Sequence, residues 1–114
     1  MAAAQFKLAN LTAILDYNKV QQSGHVAQML GLEPLADKWA AFGWAVREID
    51  GHDMGAVVEA LDALPLATAK PSLLIAHTIK GKGVSFMEDD LLWHYRSPQG
   101  DEYAAALSEL KGDQ

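Results

Sequence analysis

Three short stretches of the 114-residue chain carry side chains able to do chemistry. They are Asp16 with Asn18 and Val20; Asp50 with His52 and Asp53; and His77 with Thr78, Lys80 and Lys82, followed later by His94. Asn18 offers a neutral carboxamide oxygen and Val20 a backbone carbonyl, both suited to a hard cation such as Mg²⁺ or Ca²⁺. Two oxygens do not complete a coordination shell, and an Asn in a turn also serves its own backbone. Lys80-Gly-Lys-Gly83 sets two cations beside two permissive backbone positions, a composition that can meet phosphate oxygens through N–H groups. It lacks the spacing of a P-loop, and a solvated glycine turn has the same composition. His94 stands between Trp93 and Tyr95. Those flanks predict a partly buried imidazole that moves a proton, donates a hydrogen bond, or is simply satisfied by a backbone carbonyl. His77 closes an apolar run, where a structural and a functional role are both open, while His25 and His52 read as structural or solvated. No His/Asp/Glu spacing reproduces a zinc site.

These residues need elements to place them, and the hydrophobic pattern supplies an order. Met1–Leu8 suits the end of a helix. Asn10-Leu-Thr-Ala-Ile-Leu-Asp16 is a short apolar run of the kind expected for a strand buried on both faces of a parallel sheet. The stretch 17–33, with Gly24 and Gly31, reads as a long loop. Pro34 fits a helix's first turn, and Leu35, Trp39 and Phe42 recur at helical spacing until Gly43. A second strand is expected over Trp44–Asp50, then a turn in which Asp53 caps a helix whose stripe is Val57, Ala60, Leu61 and Leu64. Pro71–His77 is the third strand, Thr78–Pro98 a loop containing Gly81 and Gly83, and Asp101–Leu110 a final helix. Strands alternating with helices imply an α/β fold with a parallel sheet. In such a sheet ligands gather beyond the C-terminal strand ends, where all three stretches fall.

Composition narrows the class. The length suits one domain with a small core, since half the residues are hydrophobic. With no cysteine, disulfide scaffolds, thiolate metal sites and Cys nucleophiles are excluded, and a reducing compartment is compatible. A formal charge of −6 without a basic cluster disfavours nucleic acid. No apolar run approaches the roughly 20 residues of a membrane span, and the start has no secretory pattern. The expectation is a soluble cytoplasmic protein.

Four collinear blocks carry a family resemblance: Leu8-Ala-Asn-Leu-Thr-Ala-Ile-Leu-Asp-Tyr-Asn18, Leu32-Glu-Pro-Leu-Ala-Asp-Lys-Trp-Ala-Ala-Phe-Gly-Trp44, Asp50-Gly-His-Asp53 and Ala76-His-Thr-Ile-Lys-Gly-Lys-Gly-Val-Ser-Phe-Met-Glu88. Over nearly the whole chain they resemble the N-terminal subunit of split bacterial transketolases. The resemblance implies a three-layer α/β fold of the thiamine-diphosphate-binding type, here partial: about three parallel strands with flanking helices, forming one partial domain over 1–114. It implies thiamine diphosphate and Mg²⁺ (or Ca²⁺) as cofactors. Asn18 matches the family's metal-ligating Asn, and Val20 the position whose carbonyl completes the metal shell. His94 resembles the His that contacts the diphosphate and assists proton transfer, although Trp-His-Tyr departs from the usual His-Gly. His77 is the remaining implied cofactor contact.

The implied reaction moves a two-carbon ketol unit between sugar phosphates, as in the pentose phosphate pathway. The implied partner is a C-terminal transketolase subunit carrying the pyrimidine-binding domain, within an oligomer. The family's Gly-Asp-Gly motif occurs nowhere in the chain, so the resemblance is to a subunit shortened at its N-terminus, expected alone to bind the cofactor weakly and to expose apolar edges. Two other readings stay open: a fragment like deoxyxylulose-phosphate synthase, against which the Leu-Glu-Pro-Leu-Ala-Asp-Lys-Trp block argues, and a non-catalytic remnant acting as an interaction module.

Overall fold

A computed structural model describes residues 1–112. In chain order the elements are α1 (Ala2–Gln5), β1 (Thr12–Tyr17), β2 (Val20–Gln21), β3 (Gly24–His25), α2 (Val26–Met29), α3 (Leu35–Ala41), β4 (Ala45–Asp50), α4 (Met54–Asp62), β5 (Ser72–His77), a 3-10 turn (Leu91–His94) and α5 (Asp101–Lys111). The chain divides into two compact units: Met1–Tyr17 with Leu32–Thr78, and Asn18–Gly31 with the residues from Ile79 onward.

The first unit holds the expected parallel sheet, in the order β1-β5-β4. β5 is central because its sequence is apolar on both faces: Leu73, Leu74 and Ile75 are each 1% exposed. Burying a side chain of this size contributes about 1.5–3 kcal/mol. Ser72, also fully buried, accepts a hydrogen bond on Oγ from the Leu66 amide at 3.0 Å, so its hydroxyl is not left unpaired. On one face Ile49, Ala60, Leu74 and Ala76 form the core, with Val57, Leu64 and Leu66 packed against it. Asp53 caps α4 as expected, its Oδ1 accepting from the Gly55 and Ala56 amides at 2.8 and 3.1 Å. Arg47 on β4 pairs with Glu59 on α4 at 2.7 Å. Trp39 of α3 meets Trp44 edge to face, centroids 5.0 Å apart.

Four expectations need correction. β1 is an edge strand and is not buried on both faces; Ile14 is 62% exposed because the core under α4 involves β4 and β5. Leu61 points out of the α4 stripe and is exposed, and the helix ends at Asp62, so Leu64 reaches the core from the following turn. The stretch 17–33 is not one loop, since it contains β2, β3 and α2. Lastly, 78–98 includes the 3-10 turn.

The second unit consists of the segments that leave the C-terminal ends of β1 and β5, together with α5. β2 and β3 form a minimal antiparallel hairpin, pairing Val20 with His25 and Gln21 with Gly24. The 79–100 segment is tied to α5 at two points. Ser85 donates through its amide and hydroxyl to the Glu109 carboxylate at 2.5 and 2.9 Å, and Arg96 donates to Glu102. Among the described residues no helix is long and apolar enough to cross a membrane.

Candidate functional site

Asn18 and Val20 fall in one tight turn. Lys19 between them adopts a left-handed backbone with φ of 66°, which folds the chain back so that Asn18 Oδ1 accepts the Val20 amide at 3.0 Å. The Lys19 carbonyl in turn accepts from the Val26 amide at 2.8 Å, locking the turn onto the hairpin. A non-glycine residue in this conformation is uncommon, and such outliers cluster at ligand sites. Asn18 is half-buried, and its carboxamide oxygen has two lone pairs, of which the Val20 amide occupies one. Two neutral oxygens in one turn fit part of the shell of a hard cation. Among the described residues no cluster of three or more His, Cys, Asp or Glu could hold a metal by itself. A cation held at this turn would take at most these two oxygens from it and would need its remaining ligands from elsewhere; Mg²⁺ accepts such mixed sets of oxygen and water.

The segment after β5 is closed by its own groups. The Asp89 amide donates to the Lys80 carbonyl at 2.9 Å, and a Cβ on Gly81, whose φ is 76°, would collide with the Met87 carbonyl. Glycine is required there by conformation and by space. The donors read as phosphate ligands are engaged inside the segment: Lys80 Nζ donates to the Trp93 carbonyl at 3.0 Å, the Gly83 amide to Glu88 at 3.1 Å, and Lys82 Nζ lies 3.4 Å from the same carboxylate. His25 Nδ1 of the β2–β3 hairpin lies 3.9 Å from Asp89 Oδ1, beyond hydrogen-bond distance.

His94 ends the 3-10 turn and is exposed, contrary to the partly buried imidazole expected from its aromatic flanks. Neighbouring residues of a 3-10 turn point apart, and Trp93 takes the buried position at 7% exposure. The Trp93 indole donates to the Phe86 carbonyl at 3.0 Å, stacks edge-on with the Phe86 ring, and carries the Arg96 guanidinium 4.7 Å from its centroid. The His94 ring meets Tyr95 edge-on at 6.4 Å. Asn18, Val20 and His94 thus all belong to the second unit.

His77 belongs to the first unit, at the C-terminal end of the sheet. Its Nε2 lies 2.6 Å from Glu48 Oε2, and its ring is 5.7 Å from that of Tyr17, its partner in register on β1. Burial, then a hydrogen bond to the Glu33 carboxylate and its charge, push the Tyr17 phenol above its ordinary pKa. The strand ends are drawn close together. Thr78 donates to Asp16, the Gly51 amide donates to the His77 carbonyl at 2.9 Å, and a Cβ on Gly51 would collide with Thr78 Cγ2 at 2.5 Å. Sequence reasoning had no part for Glu48, Tyr17 or Glu33. The alternation in β4 that puts Glu48 on the face of Val46 and Asp50 was the available signal for Glu48.

Residues 1–112 match the family described as transketolase, thiamine diphosphate binding domain. The chain belongs to this family. This transketolase-family domain is 43% identical over 110 residues to an apulose-4-phosphate transketolase subunit of Phocaeicola vulgatus, covering 96% of the chain and 39% of that relative. It is also 43% identical over 111 residues to a 6-deoxy-6-sulfo-D-fructose transketolase subunit of a Clostridium species, covering 97% of the chain and 40% of the relative. Transketolase from Campylobacter jejuni superposes with a TM-score of 0.83 at 29% identity, over 98% of the chain and 17% of that structure. The domain spans about two fifths of the length of the curated relatives it matches.

Proposed function

We propose that this domain holds the diphosphate end of thiamine diphosphate and its divalent ion within a transketolase-type enzyme. The observation that carries the reading is the 18–20 turn, where the left-handed Lys19 backbone holds the Asn18 carboxamide oxygen against the Val20 amide directly beyond a strand end. Asn18 and Val20 would ligate Mg²⁺. His94, exposed and backed by an anchored Trp93, would contact the diphosphate and hold or pass a proton, and His77 would be a further cofactor contact oriented by Glu48. The cofactor supplies the electron sink for moving a two-carbon ketol unit.

The sugar partners belong to the rest of the enzyme. Relatives named for apulose 4-phosphate and for 6-deoxy-6-sulfo-D-fructose are each 43% identical to this chain, which argues that the shared stretch serves the shared cofactor. Both relatives are named as one subunit of a transketolase, which favours a companion subunit that completes the site.

The test is a titration of the ¹⁵N-labelled chain with thiamine diphosphate in excess Mg²⁺. Weak binding that shifts the amides of residues 18–20 and of His94 together is expected. Saturating cofactor that moves neither group overturns the reading.

A further inference from the structure

We propose that Lys80 is a positioning residue for His94: its ammonium fixes the Trp93 carbonyl and so sets the orientation in which His94 is presented. The inference rests on the reading of His94 as a diphosphate contact.

A peptide unit is planar, so the Trp93 carbonyl and the His94 amide turn as one body. The half-buried bond from Lys80 Nζ, at 3.0 Å, fixes one edge of that plane with a charge-assisted donor. The Trp93 side chain is held independently by Phe86 and by Arg96, which Glu102 anchors from α5. The main chain entering His94 is therefore clamped through both its carbonyl and its preceding ring. The imidazole itself makes no hydrogen bond among the described residues, which leaves both ring nitrogens available for a ligand. The other end of the clamp is equally fixed. Lys80 sits where the segment closes on itself, its carbonyl accepting the Asp89 amide at 2.9 Å, next to Gly81, which tolerates no side chain. A lysine in a glycine-rich loop invites the reading of a direct phosphate ligand; here its donor is directed at the protein's own backbone.

Lys80→Met and Lys80→Gln separate the two roles, with inorganic pyrophosphate as the probe and amide spectra of β1, β4 and β5 confirming the fold. Positioning predicts that both variants lose backbone order at 93–95, read by heteronuclear NOE, and bind pyrophosphate about five- to tenfold more weakly, the loss expected for about one hydrogen bond. Lys80→Arg should restore both. In a His94→Ala background Lys80→Met should have no further effect on pyrophosphate, because the two residues act as one unit. Unchanged order at 93–95 in both variants, or an undiminished Lys80→Met effect without His94, overturns the proposal. Failure of the underlying reading looks different: the wild-type chain would then show no pyrophosphate shift at His94, whatever happens to backbone order.

Discussion

Asn18 carries two duties in the 18–20 turn, and a substitution separates them. Asn18→Ala removes the acceptor of the Val20 amide and should lower stability by about 0.5–1.5 kcal/mol, measured by urea unfolding. The same variant should lose the Mg²⁺-dependent part of diphosphate binding while keeping the pyrophosphate shift at His94. Tyr17 gives a prediction in pH. Its folded pKa is raised, so above its unfolded value of 10.0 the unfolded chain releases a proton that the folded chain keeps. Its stabilising share is complete below that unfolded value and is lost as pH rises through the folded pKa. Thermal melts from about pH 8 to about pH 11 should show a falling midpoint, and Tyr17→Phe should flatten that alkaline limb; parallel curves would contradict the assignment.

At the level of elements, the helix α4 and the glycine-closed segment after β5 are the parts most exposed to single changes. Asp53→Ala should cost about 1 kcal/mol by leaving two helix amides without their acceptor, a loss visible as a lower midpoint in denaturant. Gly81→Ala should be worse, at more than about 1 kcal/mol, since the new Cβ meets the Met87 carbonyl at an unfavourable φ. The three strands and α3, α4 and α5 were legible because apolar period, Pro34, Asp53 and Pro71 are local signals. The edge position of β1 was not, because an apolar run looks the same wherever it stands in the sheet order. The β2–β3 hairpin was missed because two-residue strands leave no period to read. The candidate residues Asn18, Val20, His77 and His94 were singled out by residue type and family resemblance. The Lys80–Trp93 bond, spanning 13 positions, had no pattern that could reveal it.

For the molecule as a whole, the sheet ends at β1 with an exposed Ile14, and Phe6, Leu8 and Leu11 are exposed in the same region of sequence. An apolar edge strand without lysine or proline invites pairing with other chains. Sedimentation should show concentration-dependent association that Ile14→Lys reduces without lowering the melting midpoint; an unchanged profile would mean that this edge is not the contact. The domain also covers only about two fifths of its curated relatives, so the part proposed for it in the enzyme is the cofactor's diphosphate end rather than the complete reaction. Line broadening by Mn²⁺, added to the ¹⁵N-labelled chain with and without thiamine diphosphate, addresses that part most directly. The account predicts cofactor-dependent broadening centred on Asn18, Lys19 and Val20. Broadening that ignores the cofactor, or that spreads over surface carboxylates such as Asp101 and Glu102 while sparing this turn, would contradict it.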